Sequence, residues 1–571
     1  MTLLDEFIDQ TTFNSYEEMK AKFSIHIPDN FNFAYDVVDR YAELEPDKEA
    51  MVWVDDEKNE KIFTFKDLKE ASNKTANYLK CLGIKKGDTV MLILRRRYEF
   101  WFFILALHRI GAIVVPATNM LLTKDIEYRT NAASIKMIVT YDDPGLQEQI
   151  EAAMPASPSV KNLVTVGKPR KGWKTFYTIY PDASDEFDRP QGIYATRNED
   201  IMFLYFTSGT SSYPKMVQHN FAYPLGHIVT ARYWQNVKEN GRHLTIAETG
   251  WAKAVWGKIY GQWIAGSAIF VYDMLGFVPG KLLEMLDKYK VTTFCAPPTV
   301  YRYLLQHDFT PYDLSSLSYC TTAGEALNAE IYNKFLAKTG ISMREGYGQT
   351  ESTLAIGNFR WMAPRPGSMG KPSPGYDIDI VDSEGKSCAP GEVGEIVVHV
   401  EHGRPFGLFA GYYRDQKLTE SVFSSGLYHT GDTAWRDEDG YFWFVGRTDD
   451  LIKTSGYRVS PFEVESTLQQ HPAVLECAVT GVDDKMRNQI VKATIVLAKG
   501  FVATKELAAD IQKFTKRVSA SYKSPRIIEF VSELPKTISG KIRRATIREN
   551  DNNSDNKGSG DTPPAPPESK Q

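Results

Sequence analysis

The sequence predicts an α/β protein with a large N-terminal region of parallel sheets, a β-rich lobe and a smaller C-terminal α+β domain. Three observations predict this fold class. Helix-like and strand-like segments alternate from about residue 65, short strand candidates between glycine-rich turns follow residue 360, and both types recur after residue 449. Alternation of strands and helices implies parallel strands joined by crossover helices. A chain of 571 residues is also too long for one growing core.

The N-terminal region opens with four alternating elements. The pattern predicts a helix over FKDLKEASNKTANYLKCLG, a strand over DTVMLIL, a helix over EFWFFILALHRIG and a strand over AIVVPA. The most apolar run, residues 100–107, is far shorter than the roughly 18 residues that cross a bilayer, so it predicts a buried helix and no membrane span. The rhythm returns in KLLEMLDKYKVTTFCAPP, and the α/β region is expected to run to about residue 360.

The remaining chain predicts a lobe, a small domain and a tail. YDIDIVDSEG, GEIVVHV and GYFWFVG predict the strands of the β-rich lobe, which completes a first domain over residues 1–448. An N-cap serine, a first-turn proline and a capping-box glutamate predict that a helix begins at SPFE, residues 460–463. Residues 449–549 are expected to form the α+β domain. Residues 550–571 are polar and proline-rich, which predicts a disordered tail.

Composition excludes several function classes. The chain has 67 basic and 72 acidic residues, a net charge of −5, and no basic footprint of a nucleic-acid binder. Five cysteines without a C-x-x-C pair predict buried free thiols rather than disulfides or a zinc site. The first twenty residues are acidic and contain no arginine, so they predict neither a secretory signal nor a transit peptide. We therefore expect a cytoplasmic protein.

A phosphate-binding loop is indicated by FTSGTSSYPKMVQHN, residues 206–220. Backbone N–H groups of Ser208, Gly209 and Thr210 can line an anion nest, and Lys215 adds a mobile charge. This is not a Walker loop, because the lysine does not open a helix after Gly-Lys-Ser/Thr. An ordinary flexible surface loop is the alternative, since Gly/Ser/Thr clusters usually form loops.

Three more stretches carry side chains suited to a nucleotide. EGYGQTES offers Tyr347 to stack on a base, Thr350 to bond a phosphate and Glu351 to hold Mg²⁺. YHTGD ends in Asp432, which could clamp a sugar together with Arg447, although an aspartate after a glycine turn is more often a satisfied turn residue. LPKTISGKIRR, residues 534–544, reads by itself as a basic surface segment.

In combination these stretches resemble the adenylate-forming superfamily of acyl-CoA synthetases, luciferases and nonribosomal adenylation domains. The resemblance covers nearly the whole chain up to about residue 548. The phosphate loop, GYGQTE, YHTGD, GRTDDLIKTSGYR and PKTISGK occur in the family's order. ETGWAKAVWGK, GYGQTEST and WFVGRTDDLIKTSGYRVSPFEVES are more similar to the medium-chain acyl-CoA synthetases than to the acetyl-specific branch.

The resemblance implies a reaction of a carboxylic acid with ATP and CoA in the presence of Mg²⁺. Lys541 would bridge the carboxylate and the α-phosphate, Lys215 and Thr350 would assist at the phosphates, and Glu351 would hold the metal. The implied ATP and AMP residues are Thr207, Ser208, Gly209, Thr210, Lys215, Gly324, Glu325, Ala326, Tyr347, Gly348, Gln349, Thr350, Asp432, Arg447 and Lys541. The family commonly has proline at the position of Ala326.

The resemblance also implies two uses of the C-terminal domain. Rotation about Asp449 would withdraw the catalytic lysine and bring KTSGYR to the active site. The implied CoA residues are Ser455, Gly456, Tyr457, Arg487 and Tyr522. The family usually has glycine where this chain has Asn488. No catalytic histidine is required, and we expect His219 and His429 to be structural.

The acyl pocket is assigned to Trp251, Lys253 and Trp256 by the same resemblance. Two indoles would shorten the pocket and favour medium-chain, short branched or aryl acids, unless they simply pack the core. Lys253 either binds a polar group of the acid or extends outward into solvent. We expect a monomer or homodimer acting on small molecules. The alternatives are an adenylation enzyme that loads a carrier protein and a non-catalytic nucleotide-binding regulator.

Overall fold

The computed structural model describes residues 3–207, 214–448, 450–454, 457–484, 486–536 and 542–555. The chain divides into two compact units, Met1–Phe444 and Val445–Gln571. This division falls a few residues before the predicted boundary at residue 448. The proposed hinge, Asp449, lies outside the described residues.

A nine-stranded sheet forms the first layer of the large unit. Its central strands are parallel, and its edge strands are antiparallel. In spatial order the strands are Lys371–Pro372, Ile356–Gly357, Met343–Tyr347, Tyr319–Thr322, Thr293–Cys295, Arg242–Thr245, Ala268–Asp273, Glu49–Asp55 and Glu60–Thr64.

An eight-stranded sheet forms the second layer, and it too is parallel except at one edge. In spatial order its strands are Gly411–Tyr412, Lys215–Asn220, Ile201–Thr207, Ile113–Pro116, Thr89–Ile93, Met137–Thr140, Asn162–Thr165 and Lys174–Thr175. The two parallel sheets confirm the predicted α/β class.

Helices connect the strands of both sheets in the predicted alternation. The helix Phe65–Cys81 begins at Thr64, whose hydroxyl and the Asp67 carboxylate form a reciprocal capping box. The predicted buried helix is Glu99–Ile110, and each of its residues is buried. The other α-helices of this unit are Tyr16–Lys22, Arg40–Leu44, Thr123–Ala132, Pro144–Ala153, Phe176–Ile179, Tyr223–Ile228, Tyr260–Ile264, Pro279–Lys288, Pro298–Leu304, Ala329–Thr339 and Gln416–Val422. Two π-helices, Ala34–Asp39 and Val229–Trp234, continue directly into or from α-helices.

The predicted β-rich lobe is a five-stranded antiparallel sheet. Its strands run in the order Ile378–Val381, Gly394–His399, Leu427–Arg436 and Phe423–Ser424, and Phe442–Arg447 also pairs with Leu427–Arg436. No crossover helix is needed because neighbouring strands run in opposite directions.

The small unit is a five-stranded sheet with helices, as predicted. Its strands are Tyr457–Val459, Ile452–Thr454, Asn488–Leu497, Val474–Asp484 and Ile527–Phe530, and its helices are Pro461–Leu468, Lys505–Val518 and Arg544–Asp555. The Ser460 hydroxyl caps the first helix by accepting from the Glu463 amide at 3.2 Å. The Glu463 carboxylate, predicted to complete a capping box, instead pairs with Lys523.

The predicted tail needs correction at its beginning. Residues 550–555 are not irregular but continue the helix Arg544–Asp555. Ile547 is buried against Ala478 and Leu534, and Asp551 pairs with Lys492. These contacts anchor the helix to the sheet and outweigh its polar composition. Residues 556–571 lie outside the described residues.

Two further expectations concern cysteines and membranes. Cys295, Cys320, Cys388 and Cys477 are buried free thiols, whereas Cys81 is exposed at the end of its helix, contrary to the expectation of burial. Among the described residues, no helix combines the length and the apolarity needed to cross a bilayer.

Candidate active site

The ends of the predicted phosphate loop are fixed by strand pairing. Thr207 is the last residue of one strand, Lys215 is the first of the next, and the two are cross-strand partners. The Tyr128 hydroxyl donates to the carbonyl oxygen of Pro214 at 2.9 Å. The loop residues Ser208, Gly209 and Thr210 lie outside the described residues, so their role remains a prediction.

Tyr412 connects the loop lysine to the predicted metal ligand. The Lys215 ammonium lies 5.2 Å from the centroid of the Tyr412 ring, and the Tyr412 hydroxyl donates to Oε1 of Glu351 at 2.9 Å. Tyr412 reaches this position because its short strand pairs with the strand that Lys215 begins. Burial raises the pKa of Glu351, and the tyrosine hydrogen bond and nearby Lys215 partly oppose this shift. No sequence motif identified Tyr412.

Thr350 is held through its backbone by a buried histidine. His219 donates from Nε2 to the carbonyl oxygen of Thr350 at 2.7 Å. Burial lowers the pKa of His219 to about 4, so its ring is neutral near pH 7. This contact agrees with the expected structural role of His219. His429, for which the sequence named no partner, contacts Glu395 at 3.0 Å.

The predicted base and sugar residues form one hydrogen-bonded cluster. The Tyr347 hydroxyl and the Gln349 amide nitrogen each donate to Oδ2 of Asp432 at 2.6 Å. The same amide nitrogen donates to the carbonyl oxygen of Thr430 at 2.9 Å, and the Tyr428 hydroxyl donates to Oε1 of Gln349 at 2.8 Å. Gln349 is therefore oriented from both ends. Asp432 is buried, and this cluster joins the parallel sheet to the β-rich lobe.

The predicted adenine wall lies beside Lys253. Gly324 has a φ of +98°, and a Cβ at this position would lie 3.4 Å from the Lys253 ammonium. That ammonium donates to the carbonyl oxygen of Ala323, so Lys253 does not extend outward into solvent. Glu325 is exposed and accepts a hydrogen bond from Thr299 at 2.8 Å. Ala326 is half-buried.

Trp256 brings the predicted acyl segment against the adenylate motif. It is 6% exposed, and a Cβ at Gly348 would lie 2.5 Å from its Cη2 atom and 2.5 Å from the Thr353 carbonyl oxygen. Trp234 packs against the indole edge-on at 6.2 Å. Trp251 is half-buried at the start of the same segment. Packing and pocket formation are therefore compatible roles for Trp256.

A buried carboxyl group that the sequence did not single out underlies this motif. Glu345 is 4% exposed, and its Oε1 accepts from the Leu327 amide at 3.2 Å, at the end of the adenine-wall segment. Its Oε2 makes no hydrogen bond to any described residue. Burial raises the pKa of Glu345 to about 8.

In the small unit, two of the predicted CoA residues contact each other. Tyr457 and Tyr522 stack with ring centroids 4.2 Å apart and an interplanar angle of 14°. Both rings are exposed. The Arg487 amide donates to Oδ1 of Asp484 at 2.8 Å. Asn488, where the family usually has glycine, has a φ of 68°, a left-handed conformation that asparagine tolerates better than most residues.

The other candidates of the small unit cannot be placed. Ser455, Gly456 and Lys541 lie outside the described residues. Arg447 ends the strand Phe442–Arg447 and belongs to the small unit, so its partnership with Asp432 remains a prediction. Within the part of the chain that the structure describes, no group of three or more His, Cys, Asp or Glu side chains is arranged as a metal site.

Comparison with known proteins identifies the family. A model of the AMP-binding enzymes matches residues 38–413, and a model of the AMP-binding enzyme C-terminal domain matches residues 463–541. The chain belongs to the AMP-binding enzyme family. These matches confirm the predicted resemblance to adenylate-forming enzymes.

Named relatives of this family match over almost the whole chain. Human acyl-coenzyme A synthetase ACSM3, mitochondrial, is 40% identical over 546 residues, which are 94% of this chain and 92% of the relative. Rat acyl-coenzyme A synthetase ACSM5, mitochondrial, is 41% identical over 532 residues, 91% of each chain. The crystal structure of the anthranilate CoA ligase AuaEII in complex with anthranoyl-AMP matches with a TM-score of 0.85 and 30% identity, over 93% of this chain and 99% of that one.

These relatives overturn the predicted location. The ACSM3, ACSM4 and ACSM5 relatives are all named mitochondrial, which contradicts the cytoplasmic prediction. The prediction rested on the acidity of the first twenty residues and on their lack of arginine, and these features did not determine the location.

Proposed function

We propose that the protein is an AMP-forming acyl-CoA synthetase, which converts a carboxylic acid, ATP and CoA into acyl-CoA, AMP and pyrophosphate. The observation that carries the proposal is the cluster of Tyr347, Gln349 and Asp432. It brings a stacking ring, an amide and a buried carboxylate together where the family motifs predict a nucleoside. The acyl-CoA synthetases and the CoA ligase among its relatives support this activity.

The first half-reaction needs positive charge rather than a base. The substrate carboxylate attacks the α-phosphorus of ATP, an acyl-phosphate bond forms, and pyrophosphate leaves with the bonding electrons. Two anions approach each other, so Lys541 would stabilise the transition state by contacting both, while Lys215 and Thr350 contact the phosphates. The contact of the Lys215 ammonium with the Tyr412 ring supports a defined position for this charge.

Glu351 fits the role of a Mg²⁺ ligand. Its side chain is half-buried, this burial disfavours its charge, and Tyr412 orients one oxygen. A divalent cation would stabilise that charge, and Mg²⁺ at phosphate sites commonly takes one or two protein carboxylates and completes its shell with phosphate oxygens and water. The bound ion would neutralise charge on the phosphates. A single protein carboxylate is thus a sufficient donor set.

The second half-reaction forms the thioester. The CoA thiolate attacks the acyl carbon, the acyl-phosphate bond breaks, and AMP leaves. A free thiol has a pKa near 8.5 and is partly ionised at neutral pH, so no histidine is needed as a base. Rotation about Asp449 would exchange Lys541 for Ser455, Gly456 and Tyr457 in the active site. The Tyr457–Tyr522 stack offers CoA an exposed aromatic surface.

The substrate is proposed to be a medium-chain, short branched or aryl acid. The proposal rests on Trp256, whose buried ring lies against Gly348 and leaves less room for a long chain. The medium-chain branch resemblance and the anthranilate ligase both favour this range. A mitochondrial location is proposed from the names of the relatives. Whether the protein is a monomer or a homodimer stays a prediction.

The test is pyrophosphate release with ATP and Mg²⁺ across acetate, branched short-chain acids, octanoate, benzoate and palmitate, each with and without CoA. We expect CoA-stimulated release with one acid class other than acetate or palmitate. Release that a carrier protein stimulates and CoA does not would replace the proposal with carrier loading. Binding of ATP without release for any acid would favour a regulator.

A further inference from the structure

A cavity of about 480 Å³ lies among three helices of the large unit. The helices are Pro279–Lys288, Pro298–Leu304 and Ala329–Thr339, and we call this space the three-helix cavity. None of its lining residues is among the predicted ATP, acyl or CoA residues. Its volume falls within the range of about 300–1,000 Å³ that is usual for small-molecule sites.

The wall of the three-helix cavity is mainly apolar. Leu283, Leu286, Leu304 and Phe335 face it from the three helices, and all four belong to the buried core beside the nine-stranded sheet. Water is stable in a cavity only where it finds several polar partners. A wall of this composition therefore favours an occupant with an aliphatic body.

The cover of the cavity is a loop that its own hydrogen bonds hold in place. The Thr310 amide donates to Asp308 at 3.0 Å, and the Ser315 amide donates to Asp313 at 3.1 Å. Asp313 is tied in turn to Lys290 at 2.8 Å and, through its amide, to Asp287 at 3.1 Å. These bonds fix the loop to the neighbouring helix.

One cation lies at the rim. Among the described lining residues, Lys338 is the one charged side chain, and none is an aspartate or glutamate. Its ammonium donates to the carbonyl oxygen of His307 and to that of Leu305 at 3.4 Å, and it lies 4.5 Å from the centroid of the Phe309 ring. An ammonium has three N–H donors, so these two carbonyl groups leave capacity for an anionic oxygen.

We propose that the three-helix cavity binds an aliphatic monocarboxylate, with its tail between the helices and its carboxylate on Lys338. Lys338 attracts the anion, although Asp308 of the covering loop also interacts electrostatically with its ammonium, and the apolar wall selects the tail. Ile341 lines the cavity two residues before the strand Met343–Tyr347, which ends in the nucleotide cluster. A bound ligand would contact Ile341 and would therefore affect the position of the chain at the start of that strand. The proposal does not depend on the acid being a substrate.

Calorimetric titration of the full-length protein with sodium octanoate tests the cavity. The candidate active site is first saturated with octanoyl-sulfamoyl-adenosine, so that remaining octanoate binding reports a second site. We expect one octanoate to bind to each blocked chain. Lys338→Gln should bind octanoate at least tenfold more weakly, whereas Lys334→Gln should bind it with unchanged affinity. Lys334 is the matched control because it lies on the same helix, is exposed, pairs with Glu330 and does not line the cavity.

Two further measurements separate the tail from the head group. Leu314→Trp adds bulk to a half-buried wall residue and should abolish the second site, whereas octanol should bind at least tenfold more weakly than octanoate. If Leu314→Trp does not fold, Lys338→Gln and octanol still decide the question. Absence of octanoate binding to the blocked protein, or equal binding by Lys338→Gln and the wild type, would overturn the proposal. Failure of the sulfamoyl-adenosine itself to bind would instead count against the proposed function, and octanoate titration of the unblocked variants would then test the cavity.

Discussion

The indole ring of Trp256 occupies space that any side chain at Gly348 would need. A Cβ there would lie 2.5 Å from the ring and equally close to the Thr353 carbonyl oxygen. The glycine of the adenylate motif and the tryptophan of the acyl segment thus form one packed contact. The proposed acyl and nucleotide sites share this contact, so a substitution in one site should alter binding at the other.

Replacing Trp256 with alanine should shift the substrate preference of the enzyme toward acids with longer chains. Removal of the ring leaves a cavity beside Gly348. We therefore expect the ratio of kcat/KM for decanoate to that for hexanoate to rise at least tenfold. The thermal midpoint should fall because a buried ring is lost. Trp443→Phe, on the β-rich lobe where it stacks with Trp435, is the control. An unchanged ratio would show that Trp256 only packs the core.

Replacing Tyr412 with phenylalanine should raise the Mg²⁺ requirement. Glu351 would lose its hydrogen bond and its pKa would rise further, so its carboxylate would bind the cation more weakly. A hydrogen bond to a charged group contributes about 1.5–3 kcal/mol, which corresponds to roughly a tenfold to hundredfold increase in the Mg²⁺ concentration at half-maximal pyrophosphate release. Tyr413→Phe should not change it. An equal shift in both variants would contradict the role of Tyr412.

Replacing Asp432 with asparagine should weaken ATP binding more than acid binding. The variant loses the charge that accepts from both Tyr347 and Gln349. We expect KM for ATP to rise about tenfold or more, with KM for the acid nearly constant, in steady-state assays. Asp382→Asn, at an exposed turn of the same lobe, is the matched control. A rise confined to KM for the acid would remove Asp432 from the nucleotide site.

Stability should fall as pH rises because of Glu345. Its pKa is raised from 4.5 to about 8, so between these values the folded state holds a proton that the unfolded state has released. Glu345 by itself then lowers the free energy of unfolding by about 1.4 kcal/mol per pH unit across this window, and its contribution stays level above it. Glu345→Gln should flatten the dependence in thermal melts at several pH values, whereas Glu384→Gln should not. The same pH dependence in the wild type and in Glu345→Gln would be inconsistent with a neutral Glu345.

Replacing Lys541 with alanine should separate the two half-reactions. We expect pyrophosphate release to fall by a factor on the order of 10²–10³, as when a transition-state donor is removed, while thioester formation from supplied acyl-AMP is largely retained. Lys536→Ala is the control, because Lys536 lies in the same segment as Lys541 and its side chain instead pairs with Glu476. Equal losses in both half-reactions would refute the assigned role.

The sequence indicated candidate residues for the site, but it did not indicate their contacts. Tyr347 and Asp432 were found from motifs, but their hydrogen bond joins positions 85 residues apart, and no local pattern encodes it. Tyr412 lies in no motif and acts through a strand pairing that only the folded sheet creates. The alternation of elements is local, so the α/β class was predictable. The helix Arg544–Asp555 was missed in part because its order comes from burial of Ile547 rather than from composition.

The nucleotide candidates are spread over three layers: the eight-stranded sheet carries Lys215, the nine-stranded sheet carries Tyr347, and the lobe carries Asp432. A ligand that contacts all three binds only the state in which they are assembled. By thermodynamic linkage, a ligand at a hundredfold excess over its Kd adds about 2.7 kcal/mol to the stability of that state. ATP would then stabilise the assembled fold as well as serve as a substrate. The fraction of protein in the assembled state would therefore increase with the ATP concentration.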